Sequence, residues 1–283
     1  MNETLHIIDG RNVLRIEHRL PHAPVKVWRA LTEAPHLLAW FPAAMAIDLR
    51  VGGEIRFTMD GGDDITTGVV THLEPPRVFA YTWSGDHLRW EVHPEPSGCL
   101  LVLVHTFDDR AGAASFASGW HVCLDALGAS LDERPFVAPD DTWAAHEAFI
   151  ARFGLTQGHA VATDHGWAVR FERQFRRPVA RVWEALLAGS EGPVAVGSPP
   201  PPTATVGLAP AGAVTEFAPS SVLEYRWQHD GHPAGRVRWQ ISQGPGGARL
   251  QLEHTGPQAL ADLRPAALAA WQDHIERLAV ATR

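Results

Sequence analysis

Lysine is nearly missing from this chain: of 24 basic residues only Lys26 is a lysine, the arginines are scattered, and the formal net charge is −8. No broad basic field is therefore available for nucleic acid. Cysteine is equally scarce. Cys99 and Cys123 form no CxxC and have no metal-ligand spacing, so both read as buried small hydrophobes. No apolar run approaches the ~18–20 residues of a membrane span, and MNETLHIIDG lacks the charged-then-apolar order of a signal peptide, which makes a cytoplasmic protein the expectation. The 16 histidines include no HExxH and no zinc-spaced Cys/His cluster. Asp60–Asp64 (DGGDD) lacks an EF-hand loop and reads as a solvated hairpin tip. Without GxSxG, Ser115 and Ser118 read as helix caps. No metal and no cofactor are expected.

What the chain does have is a repeat. Asp9–Leu31 (DGRNVLRIEHRLPHAPVKVWRAL) lies over Asp164–Leu186 (DHGWAVRFERQFRRPVARVWEAL) without a gap, at an offset of 155 residues. Gly68–Trp83 (GVVTHLEPPRVFAYTW) lies over Gly212–Trp227 (GAVTEFAPSSVLEYRW), and Leu88–Thr106 over Val237–Thr255. Trp120 then falls opposite Trp271. A period this long exceeds that of any solenoid repeat, so each copy is a whole domain. At 283 residues, 45% hydrophobic and 20% charged, the chain has room for two ordinary cores. The expected domains are 1–157 and 158–283, with Gly154 capping the last helix of the first.

Each copy opens with a hairpin and a short helix; the first adds a second short helix, a Gly52-Gly53 turn and a run of strands to Phe107. From Ser115 the period becomes helical, with Phe116, Trp120, Cys123, Leu124, Leu127 and Leu131 on one stripe. The second copy shows which strand face points inward. RLQLEHT alternates, so Leu250, Leu252 and His254 share a buried face. By register Leu101, Leu103, His105 and Phe107 point inward in the first copy, and so do Phe79, Tyr81, Trp83, Trp90 and Val92. In place of TEAPHLLAWFPA and VGGEIRF the second copy has AGSEGPVAVGSPPPPTATVGLAP. The run Pro199–Pro202 cannot be a helix or a central strand, so this copy has lost a helix and part of a hairpin.

PVKVWRALTE, LLAWFP, VGGEIRF, GVVTHLEPPRVFAYTW, LVLVHTF and GWHVCLDALGASL together resemble the bacterial Aha1-like (activator of Hsp90 ATPase homologue) branch of the START-like, or SRPBCC, superfamily. The resemblance implies an α+β helix-grip fold, a curved antiparallel sheet around a long C-terminal helix, duplicated here with a degenerate second copy. It also implies an apolar cavity for hydrophobic molecules, in a superfamily with some cyclases and hydrolases.

The candidate ligand wall is Trp40, Phe41, Phe57, Phe79, Tyr81, Trp83, Trp90, Leu103, His105, Phe107 and Trp120. Trp40 and Phe41 belong to the segment the second copy discards and are candidates for the pocket entrance. Because His254 repeats His105 and Tyr225 repeats Tyr81, both residues read first as core groups, with ligand contact as the alternative. The leading expectation is binding of a small hydrophobic molecule in the N-terminal domain, with the C-terminal copy as support. One rival is a cofactor-free cyclase, dehydratase or hydrolase using His105 and Asp108 or Asp109 as acid and base, although those aspartates sit on a loop that favours simple solvation. The other is an interaction protein stimulating an Hsp90-type ATPase. On the last strand of the first copy Leu100, Val102 and Val104 face outward, a row expected to need cover from the neighbouring domain or a second chain.

Overall fold

The computed structural model describes residues 1–59 and 65–283; the tip expected at Asp60–Asp64 lies outside the described residues. The chain divides into two compact units, Met1–Thr142 and Trp143–Arg283.

In the first unit β1 (Asn2–Ile8) and β2 (Arg11–Leu20) are joined by Asp9-Gly10, both at positive φ, 49° and 80°. A two-residue turn of that hand matches the twist of the strands, and glycine adopts it without a Cβ penalty. α1 (Pro24–Thr32) starts on a proline, whose missing N–H would have been unpaired at a helix start in any case. Its buried face is Val27, Trp28, Ala30 and Leu31. After α2 (Ala34–Leu37) come β3 (Ala43–Ile47), β4 (Glu54–Met59), β5 (Ile65–Glu74), β6 (Val78–Trp83), β7 (Asp86–Glu95) and β8 (Gly98–Phe107). They form one antiparallel sheet in the order β1-β2-β8-β7-β6-β5-β4-β3. α3 (Ala113–Leu131) is laid on its inner face, with Trp120 against Trp90 and His105. Ser115 and Ser118 do not cap α3. The helix starts two residues earlier, behind an Asp109 carboxylate that accepts the Gly112 N–H at 3.1 Å, and Ser118 donates to the Ser115 carbonyl from within the helix.

The second unit comprises α4 (Trp143–Arg152), β9 (His159–Thr163), β10 (Gly166–Gln174), α5 (Val179–Leu186), β11 (Ala211–Ala218), β12 (Val222–His229), β13 (His232–Gly244), β14 (Gly247–Pro257) and α6 (Arg264–Ala281). Its sheet runs β11-β12-β13-β14-β10-β9. That is the first sheet's order β5-β6-β7-β8-β2-β1 with β3 and β4 missing. Both units are helix-grip domains, and the second is the reduced one. The units divide one helix earlier than the expected 157/158 boundary, because α4 groups with the second. Buried Arg173 on β10 donates to Glu147 of α4 and to Glu276 of α6, and leaving that guanidinium without carboxylates would be costly. Gly154, at φ 62°, does end α4, with the Leu155 N–H returning to the Ile150 carbonyl at 3.0 Å.

One short stretch survives the reduction. The Gly52 N–H bonds the Val70 carbonyl and the Val70 N–H the Gly53 carbonyl, at 2.8 and 2.9 Å. The Gly197 N–H and Val214 carbonyl, then the Val214 N–H and Ser198 carbonyl, repeat this at 2.9 Å each. Gly52 and Gly197 share the left-handed conformation, at 81° and 93°. Val196-Gly197-Ser198-Pro199 thus holds the place of Val51-Gly52-Gly53-Glu54. Where β4 follows in the first unit, the second has prolines.

Candidate functional site

Strand alternation delivers the inner wall. Leu101, Leu103, His105 and Phe107 are buried on β8, and Phe79, Tyr81, Trp90 and Val92 on β6 and β7. Trp83, at the end of β6, is half-buried. On the opposite face Leu100 and Val104 are half-buried, and Val102 is buried in register between Glu17 and Glu91, which pair with Arg15 and Arg89. The inward rings contact one another. Trp40 meets Trp90 edge-on, with centroids 5.5 Å apart, and Phe57 stacks on Trp83 at 4.9 Å. Phe41 touches Phe57, Trp83 and Trp120, closing the wall from the side of the α2–β3 turn. Such contacts add about 0.5–1.5 kcal/mol each beyond the burial of the rings. The Trp40 indole N–H donates to the Ala30 carbonyl at 2.9 Å, linking this ring to α1.

His105 is the imidazole of this wall, and both its ring nitrogens are engaged. Trp120 donates its indole N–H to Nδ1 at 3.2 Å, and Asp86 faces Nε2 at 2.9 Å. An indole N–H can only donate, so the ring proton lies on Nε2 toward the carboxylate. The second unit repeats half of this: Trp271 donates to His254 Nδ1 at 2.9 Å, but His254 Nε2 has no partner among the described residues and burial pulls the ring's pKa down to about 4. Gly235 stands where Asp86 would be. Asp108 is exposed and accepts from Arg11 at 2.7 Å, while Asp109 caps the turn before α3. Each of the three acid–base candidates therefore has a structural partner.

The two units differ most around a tyrosine, a tryptophan and one position on the long helix. In the second unit the Tyr225 hydroxyl and the Trp239 indole N–H both donate to the Ala204 carbonyl, at 2.9 and 3.0 Å. His274 of α6 reaches the neighbouring Thr203 carbonyl at 2.8 Å, and the Thr203 hydroxyl donates to the Leu186 carbonyl at 2.6 Å. Ala204, Tyr225 and Trp239 are all fully buried. The stretch after Pro199 is thus a backbone plug seated on the inner wall, and its carbonyls satisfy the wall's donors. The counterparts in the first unit are Tyr81, Trp90 and Cys123. There the Trp90 N–H donates to the Tyr81 hydroxyl at 3.3 Å, and that hydroxyl donates to no described residue. Burial raises the Tyr81 phenol well above its usual range, and Cys123 lies near enough to add to the effect. Burial also pushes the Cys123 thiol up to about 11, so it is a protonated donor at neutral pH.

Cys99 is buried as expected, whereas Cys123 is half-buried and holds the place on α3 that His274 holds on α6. The sequence reading took Cys123 as a buried small hydrophobe, although the register that pairs Trp120 with Trp271 also pairs it with His274. It also missed Asp86, whose counterpart is a glycine, and the Ala204 carbonyl, which carries no side-chain signal. Among the described residues no group of three or more His, Cys, Asp or Glu is placed to hold a metal ion. No helix among them is long and apolar enough to cross a membrane.

Residues 21–132 match the family described as Activator of Hsp90 ATPase homolog 1-like protein. Among solved structures, the chain is similar to a conserved protein of unknown function from Enterococcus faecalis, at 20% identity over 54% of this chain and 90% of that one, with a TM-score of 0.49. CalU16 from Micromonospora echinospora matches at 23% identity over 54% and 95%, TM-score 0.45. An AHSA1-like protein from Aeromonas hydrophila matches at 20% over 43% and 92%, TM-score 0.39. No curated protein matches the chain. The family match falls entirely within the first unit.

Proposed function

We propose that the first unit, as an activator of Hsp90 ATPase homolog 1-like domain, binds a small hydrophobic molecule between its sheet and α3, and that the second unit is a supporting copy without a site of its own. The observation that carries this reading is the difference in what covers the aromatic wall. In the second unit it is peptide backbone, fixed by hydrogen bonds from three directions. In the first it is Trp40 and Phe41, two side chains beside a four-residue helix, which can rotate away without unthreading the chain. A mostly apolar enclosure with few polar groups suits a binding site for a hydrophobic molecule better than a site needing convergent acids and bases.

The test is binding of N-phenyl-1-naphthylamine to the full chain, followed by its fluorescence. The wild type should bind the probe. Leu103→Trp, which adds bulk to the inner wall beside Trp90, should abolish binding with near-UV circular dichroism retained. Leu252→Trp, the equivalent change in the second unit, should leave binding intact. Probe binding that survives Leu103→Trp in a folded protein would move the site elsewhere.

A further inference from the structure

We infer that Tyr81, Trp90 and Cys123 form the polar end of the first unit's ligand site, and that the molecule it takes carries a neutral hydrogen-bond acceptor, a ketone, amide or ether oxygen, on an otherwise apolar body. This rests on the binding reading above and specifies its ligand.

The second unit supplies the template. Its wall has the same tyrosine and tryptophan on the same strands, and both converge on one carbonyl oxygen, that of Ala204. The residue opposite Cys123, His274, takes the adjacent carbonyl. What the plug presents to the wall is a pair of amide oxygens on a chain of Pro, Thr and Ala, which is an apolar body with neutral acceptors. The first unit keeps the donors and lacks the plug. Its Trp90 N–H occupies a lone pair of the Tyr81 oxygen, so the phenolic proton is directed away from Trp90, and it donates to no described residue. Tyr81 and Trp90 are each 1% exposed. A buried donor of this kind favours a partner that brings an acceptor, because leaving it unmade is costly whereas pairing it is not. The local chemistry selects a neutral acceptor over a carboxylate: the groups at this end are a phenol, an indole and a thiol, with no guanidinium or ammonium among them. Tyr81 is assigned as the group that touches the ligand, and Trp90 as a positioning residue that orients its hydroxyl.

The experiment compares two probes of nearly equal size, 2-acetylnaphthalene and 2-ethylnaphthalene, binding to the full chain by equilibrium dialysis. The wild type should prefer the ketone by about fivefold, the net worth of one neutral hydrogen bond. Tyr81→Phe should reduce that preference to less than twofold, and Tyr225→Phe should leave it at the wild-type value. Should Tyr81→Phe fail to fold, Cys123→Val serves instead and should likewise reduce the preference for the ketone. Equal affinity for both probes in the wild type, or a ketone preference that persists in Tyr81→Phe or, in its stead, Cys123→Val, would overturn the polar end while leaving the apolar site standing. Binding of neither probe would overturn both.

Discussion

In the first unit the aromatic wall is covered by Trp40 and Phe41, and in the second by the backbone at Thr203 and Ala204, held by Tyr225, Trp239 and His274. One ring pair beneath repeats closely: Trp90 meets Trp120 at 5.5 Å and 83°, and Trp239 meets Trp271 at 5.4 Å and 83°. The duplicated chain has therefore kept the tryptophan pair of the wall in both copies and differs most in the cover. A side-chain cover can be displaced by rotamer changes, whereas a backbone cover moves only if the chain on both sides moves with it. An interior that must open is better served by the first arrangement, and one that only has to remain filled by the second.

The largest effect should come from removing the backbone cover. Replacing residues 199–206 with a Gly-Ser stretch of equal length removes the proline restraint and the buried Ala204 and Val206 side chains that seat the carbonyl against Tyr225 and Trp239. The second unit should lose its cooperative unfolding transition in calorimetry while the first retains its own; two intact transitions would show that the plug is incidental. Next comes the side-chain cover. Trp40→Ala should cost about 3–5 kcal/mol in denaturant titration, typical of a buried tryptophan truncated to alanine, with part of the loss restored by a saturating apolar probe. A cost that no probe restores would make Trp40 ordinary core and remove the contrast.

A smaller difference concerns the paired histidines. His254, with no partner on Nε2 among the described residues, has a folded pKa of about 4, against about 6.5 for an unfolded histidine. Between those values the unfolded chain binds more protons. The second unit's stability is therefore full above pH about 6.5 and declines on acidification toward pH 4, by about 3 kcal/mol from this residue. Burial lowers His146 and His274 in the same unit, which adds in the same direction. Urea midpoints between pH 7 and pH 4 measure it, and a flat profile for the second unit would mean that His254 charges in place. The smallest effect is that of a single hydroxyl: Tyr225→Phe should cost about 1 kcal/mol, since the Ala204 carbonyl keeps its bond from Trp239. A loss several times larger would mean that the phenol alone seats the plug.

Much of this architecture is legible in the chain because it is written twice. RLQLEHT alternates polar and apolar where CLLVLVHTF does not, so the second copy reveals the inward face of the first. The discarded segment marks α2, β3 and β4 as dispensable to the fold. What escaped the sequence depends on contacts between positions that no period relates. Arg173 recruits Glu147, and with it α4, into the second unit across a gap that charge alone does not advertise. Asp86 meets His105 at a turn whose counterpart is Gly235, so comparing the copies hides it. Val196-Gly197-Ser198 does echo Val51-Gly52-Gly53, but the surrounding prolines obscure the match until the hydrogen bonds with Val214 and Val70 are seen side by side.

The prolines that replaced β4 also bear on how the second unit meets other molecules. Losing two strands makes β11 the last strand of its sheet, and a bare last strand invites backbone pairing with another chain and growth into intermolecular sheet. Here Gly197 and Ser198 use both backbone groups of Val214, β11 carries two register shifts, and the Pro199–Pro202 run that follows has no N–H to offer. The shortened copy thus ends in an edge strand interrupted at Val214, where a second chain would find neither backbone group free to pair.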